Sequence, residues 1–128
     1  MAKTVIANAF RKRLAEHIAG GRPIKPAAFM AFGSGGHDAL SGESSTPNPD
    51  DPALKNELIR KPLARLETIE NGFSAEGEGI LEESELVDAE LSEAALLDED
   101  GNVIVFKNFK PKTKESDERY SIAIALRL

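Results

Sequence analysis

The stretch that most constrains the fold is "LLDEDGNVIVFKNF", residues 96–109, in which two apolar runs flank an acidic turn. Leu, Val, Ile and Phe suit a pleated, half-buried surface. Asp100-Gly101 tolerates the positive φ values that a tight two-residue hairpin turn requires. The stretch therefore predicts an antiparallel β-hairpin that belongs to a larger sheet.

The last residues of the chain show a second strand pattern. From Tyr120 to Leu128, Ile and Leu residues alternate with Ser, Ala and Arg residues. Strict alternation is the pattern of a strand with one buried face. We expect this segment to be a strand that is tied into the sheet.

Two segments carry helical patterns. In residues 3–19, Ile6, Phe10, Leu14 and Ile18 recur every four residues and predict an amphipathic helix that ends before Gly20-Gly21. A second, short helix is predicted from Asp51-Pro52 to Lys61. Asp51 can cap it, and the residue before Pro62 is disfavoured in helical geometry.

The other segments are assigned by their length and by the turn-forming residues that bound them. Residues 27–32 predict a buried strand, 63–69 a further strand, and 70–79 a turn. Residues 80–91 fit either a helix or a strand pair broken near Ser84. Both alternatives remain open at this level.

These elements predict an α+β fold. The N-terminal amphipathic helix and the short second helix would pack on a mainly antiparallel β-sheet or small sandwich. At 128 residues the chain is expected to form a single domain over 1–128. Residues 33–52 are polar and long for a loop, so we expect an extended arm that orders on a neighbouring molecule.

Composition excludes several classes of function. A net charge of −6 argues against a general nucleic-acid binder, and no apolar run approaches the roughly 20 residues of a membrane span. The N-terminus lacks the apolar region of a secretory signal. The absence of cysteine removes disulfides and thiolate sites, and it fits folding in a reducing cytosol.

The charges are unevenly distributed along the chain. The first 25 residues contain six basic residues against Glu16 alone, whereas no Lys or Arg lies between Arg65 and Lys107. The acidic stretch is either a solvated face or one half of a charge-complementary contact between subunits.

No motif predicts catalysis, a metal or a cofactor. The glycine-rich "FGSGGHD" lacks the Lys of a phosphate-binding loop, and "DEDGN" lacks the Gly and Glu of a calcium loop. The remaining candidate is a general base formed by His37 and Asp38, although adjacent residues rarely face each other. A tight bend after a strand explains the same residues.

The order of the segments resembles the N-terminal domain of bacteriophage tail-collar and tail-fibre proteins. The similar segments are "IANAFRKRLAEHIAGGRPIK", "FMAFGSGGHD", "TPNPDDPALKNELIRKPLARLE", "LSEAALLDEDGNVIVFKNFKP" and "SIAIALRL". The family carries a long fibre after this domain, whereas this sequence ends at Leu128. It also has aromatic or Gly residues where this sequence has Glu93, Ala94 and Ala95. We therefore expect a subunit or adaptor rather than the fibre itself.

The resemblance implies a non-enzymatic structural protein of a phage tail, baseplate or tail-fibre attachment site that works by protein–protein assembly. The alternatives are a fibre adaptor or assembly chaperone that is not built stoichiometrically into the particle and, remotely, a small enzyme or ligand-binding protein using His37 and Asp38. Neither nucleic acid nor membrane is an expected partner.

The expected partners are other tail or baseplate proteins, tail fibres and further copies of the chain, as a trimer or hexameric ring. The location would be the virion, after folding in the host bacterial cytoplasm. Most of the positions that match the family's motifs are expected to be architectural; they are Phe32, Gly33, Gly35, Gly36, Pro47, Pro49, Leu54, Leu58, Asp98, Asp100, Gly101 and Phe106. The hypothetical assembly interface consists of Arg11, Lys12, Arg13, Gly33, Gly35, Gly36, Pro47, Pro49, Asp98, Asp100 and Gly101.

Overall fold

The protein folds mainly as antiparallel β-sheet. The computed structural model describes residues 2–38 and 40–128. Strand makes up 48% of the structure and helix 11%, so the predicted α+β fold with two helices is wrong. The expectation of mainly antiparallel sheets is confirmed by the strand pairings.

The described residues form eight strands, one α-helix and one short 3-10 turn. The strands are β1 (Lys3–Ile6), β2 (Ala27–Gly33), β3 (Glu57–Pro62), β4 (Arg65–Ile69), β5 (Ser74–Leu81), β6 (Glu90–Asp98), β7 (Val103–Thr113) and β8 (Tyr120–Arg127). The helix is α1 (Asn8–Ile18), and the 3-10 turn spans Glu70–Gly72. A five-stranded sheet has the order β1-β7-β6-β2-β3, and a three-stranded sheet has the order β4-β5-β8.

The N-terminal helix is shorter than the predicted 3–19. Lys3–Ile6 forms β1, which pairs with β7 so that Val5 lies opposite Phe106. Thr, Val and Ile in succession are β-branched and favour a strand. Helix α1 then ends at Ile18, and Gly20 follows with a φ of 88°, a conformation that glycine adopts without strain.

The second predicted helix is wrong, because Glu57–Pro62 forms strand β3 at the edge of the large sheet. Ile59 lies opposite Phe32, and half-buried residues alternate with exposed ones along the strand. Pro62 is tolerated because an edge strand needs no ladder hydrogen bond on its outer side. Pairing with β2 overrides the weak helical spacing of Leu54 and Leu58.

The predicted hairpin is confirmed, but its turn has a different form. The N–H of Gly101 donates to the carbonyl of Asp98 (3.0 Å), and the N–H of Asp98 donates to the carbonyl of Asn102 (2.9 Å). Gly101 has a φ of 83°, whereas Asp100 has no positive φ. This is a three-residue loop that closes with a left-handed glycine, not the predicted two-residue turn.

The segment between β4 and β6 bears on the alternatives left open. Residues 80–91 match neither alternative fully: β5 ends at Leu81 and β6 begins at Glu90, these strands belong to different sheets, and 82–89 between them form turns rather than a helix. The predicted turn at 70–79 is wrong beyond its first residues, because β5 starts at Ser74. The predicted strands at 27–32, 63–69 and 120–128 correspond to β2, β4 and β8.

Two glycines of β5 bring the two sheets together. A Cβ atom at Gly79 would lie 2.4 Å from the Cβ of Met30, and one at Gly77 would lie 2.7 Å from the Cδ2 of Leu96. Glycine in a strand often marks such close approach. The core fills the space between the sheets, and its largest fully buried apolar side chains are Met30, Phe32, Leu81, Leu91, Leu97, Ile124 and Val105.

We expect Gly79→Ala to lower the free energy of unfolding by about 1–3 kcal/mol, because the added methyl collides with an atom next to the backbone of Met30. Gly77→Ala is the matched control, since its neighbour is the rotatable end of Leu96. Urea unfolding of both variants checks this. Equal losses in the two variants would contradict the role of Gly79 in sheet spacing.

Candidate assembly surface and polar cavity

The three basic residues of α1 that were predicted to form an interface do not share one environment. Arg13 turns towards the hairpin, where its Nη2 donates to the carbonyl of Val103 (2.9 Å) and its Nε lies 3.8 Å from Oδ2 of Asp98. Arg11 and Lys12 are exposed. Within residues 2–38 and 40–128, neither has a carboxylate within ion-pair distance.

The hairpin residues Asp98, Asp100 and Gly101 form hydrogen bonds or ion pairs with other residues of the chain. Asp98 is 4% exposed, and its Oδ1 accepts from the N–H groups of Asp100 and Asn102, which holds the turn. Asp100 pairs with Lys25 at 3.0 Å, and this hydrogen bond raises the pKa of Lys25. The structure therefore joins the hairpin to the N-terminal segment through Arg13–Asp98 and Lys25–Asp100.

Gly33, Gly35 and Gly36 lie where the end of β2 and the loop that follows it pack closely against the rest of the large sheet. Cβ atoms at Gly33 and Gly35 would lie 2.6 and 2.9 Å from the Glu93 carboxylate, and one at Gly36 would lie 2.6 Å from Asn108. No side chain fits there without movement. The glycines thus allow the loop to contact β6 and β7.

Glu93 is the centre of this contact. It is 2% exposed, and its carboxylate accepts three backbone N–H groups, from Gly35 (2.9 Å), Lys55 (2.9 Å) and Asn56 (2.7 Å). Three donors stabilise a carboxylate that has lost its water. The buried charge therefore ties the glycine loop and the start of β3 to the same strand.

Pro47 and Pro49 belong to a strap of irregular chain, residues 43–52, that lies against β1, the start of α1 and the middle of β7. Pro47 is buried, and the carbonyl of Pro49 accepts from the N–H of Asn8 (2.8 Å). Lys3 and Asn108 donate to carbonyls of the same strap. The expectation that residues 33–52 form an arm that orders on a neighbouring molecule stays a prediction. Ala39, within that range, lies outside the described residues.

A polar cavity of about 320 Å³ lies under the strap. Its lining includes Gly36, His37, Pro47, Leu54, Glu93 and Asn108. No group of three or more His, Asp or Glu side chains in the described part of the chain is arranged to hold a metal ion.

His37 in this cavity contacts Ser92 rather than Asp38. Its Nδ1 lies 3.0 Å from Oγ of Ser92, which itself donates to the carbonyl of Gly35 at 2.6 Å. The hydroxyl has one proton, so His37 is the donor and Ser92 is not activated as a nucleophile. Asp38 accepts from the N–H groups of Ser41 and Leu40, which lower the pKa of its carboxyl.

The outer face of the small sheet is a feature that sequence reasoning did not locate. Gly77 and Gly79 face the core, so Glu76 and Glu78 point outward by strand alternation. Two rows of residues cross this face in register. They are Arg65–Glu78–Ala123 and Glu67–Glu76–Ala125.

On this face, Arg65 is the shared ion-pair partner of three carboxylates. Arg65 contacts Glu67 at 2.5 Å, Glu76 at 2.7 Å and Glu78 at 3.7 Å. The bond to Glu76 is the main cause that raises the pKa of Arg65. Glu67 lies directly opposite Glu76, and facing like charges repel. The six residues of the two rows keep an excess of two negative charges.

We expect Glu93→Gln to lower the free energy of unfolding by about 1–3 kcal/mol, because the amide NH₂ leaves a buried N–H donor without an acceptor. Glu93→Ala should cost more, since all three donors lose their partner. Glu99→Gln, at an exposed position just after the same strand, is the control, expected within about 0.5 kcal/mol of the parent. Urea unfolding measures all three, and an unchanged Glu93→Gln would contradict the anchoring role.

Comparison with known proteins returns one family and no individual relative. Neither the curated proteins nor the solved structures contain a match. No helix among the described residues is long and apolar enough to cross a membrane. The family model described as "Phage tail-collar fibre protein, N-terminal" matches residues 1–126. The match spans both sheets, α1 and the strap. The chain therefore belongs to the phage tail-collar fibre protein N-terminal family, a structural domain of phage tail fibres.

Proposed function

We propose that this chain is a non-enzymatic structural subunit of a phage tail that attaches a fibre at the tail or baseplate by protein–protein contacts. The supporting observation is the outer side of α1. Arg11 and Lys12 are exposed near its N-terminal end, and Ile18, about two turns further along the helix, is 76% exposed. Exposed cations and an exposed apolar side chain on one helix suit a contact in which charge sets register and burial adds affinity.

The polar cavity supports the non-enzymatic part of the proposal. Glu93 is saturated by backbone donors, and the hydroxyl of Ser92 is buried and donates to a carbonyl. Both groups hold the loop in place. Neither is free to act on a substrate in the cavity.

We expect the chain to be present at a fixed copy number in purified particles of the phage that encodes it, because a structural subunit stays in the assembly. Quantitative mass spectrometry of purified tails measures the copy number. Deletion of the gene should give particles without attached fibres, and supplying the wild-type chain should restore the fibres. A chain that is needed for assembly but absent from finished particles would contradict the proposal and favour an assembly chaperone.

A further inference from the structure

In the two rows on the outer face of the small sheet, carboxylates outnumber cations. Arg127 of β8, two residues beyond Ala125, lies on the same face, and its Nε pairs with Oε1 of Glu70 (2.9 Å). Three carboxylates share Arg65 alone, and two of them face each other across β4 and β5. The side chain of Glu67 is 54% exposed, so the face is open to a partner. A partner that brings additional cations would relieve the repulsion.

The face also has a defined order across its width. Carboxylates occupy β4 and β5, whereas Ala123 and Ala125 of β8 form a small, half-buried apolar shelf. Strands are spaced about 4.8 Å apart, so the three strands span about 10 Å. One end of this span is acidic. The other carries the two alanines, with Arg127 beside them and the Lys107 ammonium donating to the carbonyl of Ala123 (3.0 Å).

Helix α1 presents a matching order on its outer side. Arg11, Ala15 and Ile18 are exposed and follow the i, i+4, i+7 spacing of one helix face, with Lys12 and Ala19 beside them. Seven residues of helix rise about 10 Å. One end of this stripe is therefore basic and the other apolar, over the same length as the sheet face. Glu16 is the one acidic residue of the helix.

We propose that the outer face of the small sheet receives helix α1 of a second copy of this chain. Arg11 and Lys12 would lie over the carboxylates of β4 and β5, and Ile18 over the alanines of β8. The partly positive N-terminal half of the helix adds to this attraction. The proposal rests on the proposed structural role, and it supplies a head-to-tail contact between two different surfaces that can repeat around a ring.

Charge exchange tests the contact by light scattering of the purified full chain. The wild type should be an oligomer, and R11E/K12E should raise the dissociation constant at least about tenfold through like-charge repulsion. E67K/E78K should raise the dissociation constant by a similar factor, and it keeps the Arg65–Glu76 bond. The four substitutions together should restore the oligomer, because both faces then carry exchanged charges. High salt should weaken the wild-type contact.

Matched variants separate the contact from general effects. E43K/E115K changes the net charge by the same amount as E67K/E78K, but at exposed positions away from the small sheet, and should leave the oligomer unchanged. Ile18→Ser should weaken association, whereas Leu40→Ser, at a leucine that is 99% exposed, should not. If E67K/E78K fails to fold by circular dichroism, E67Q/E78Q replaces it and should also weaken association.

A wild-type monomer from micromolar to millimolar concentration would overturn the inference. Failure of the fourfold variant to restore an oligomer that both double variants lose would also overturn it. Neither result affects the proposed function, which depends on copy number in purified particles. A monomer that is nevertheless stoichiometric in tails would assign the face of α1 to a different tail protein.

Discussion

A single buried carboxylate holds the most irregular part of this protein on its sheet. Glu93 accepts one N–H from the glycine loop and two from the residues that lead into β3. Without that charge, the loop would leave three donors facing an apolar strand, which is costly in a buried site. The position of β3 at the sheet edge, and the path of the chain that leads into β3 from the strap, both depend on this contact.

The rest of the framework follows from how closely two sheets can approach. Gly77 and Gly79 allow β5 to lie against Leu96 and Met30, so the small sheet covers one face of the large one. Helix α1 then closes an end of the sandwich with Phe10, and Arg13 ties it to the hairpin. What remains outward is the basic side of α1 and the acidic face of the small sheet. The proposed structural role would use such outward surfaces.

Several elements could be predicted because their cause is local. Alternation over 120–128 and the apolar arms around Asp100-Gly101 are sufficient to indicate strands, and both were found. The roles of the site residues were harder to predict from the sequence. The interface prediction for Asp98 stays a prediction, whereas its role in the turn was not foreseen: its carboxylate accepts from N–H groups two and four residues later. Arg13 resembled its neighbours Arg11 and Lys12 in sequence, and only the packing of α1 on the hairpin distinguishes it.

The sequence by itself determined the 96–109 hairpin, the C-terminal strand, the presence though not the start of an N-terminal amphipathic helix, the separation of charge and the family resemblance. These depend on periodicity, turn chemistry and composition, which act over a few residues. Only the tertiary structure decided that 57–62 is a strand, that 74–81 is a strand despite its glycines, and that Glu93 is buried. In each of these cases the deciding partner lies far away in the chain: Phe32 for Ile59, Met30 for Gly79, and Gly35 and Asn56 for Glu93. Long-range pairing outweighs local propensity, because the buried area and hydrogen bonds it provides exceed the small free-energy differences between local conformations.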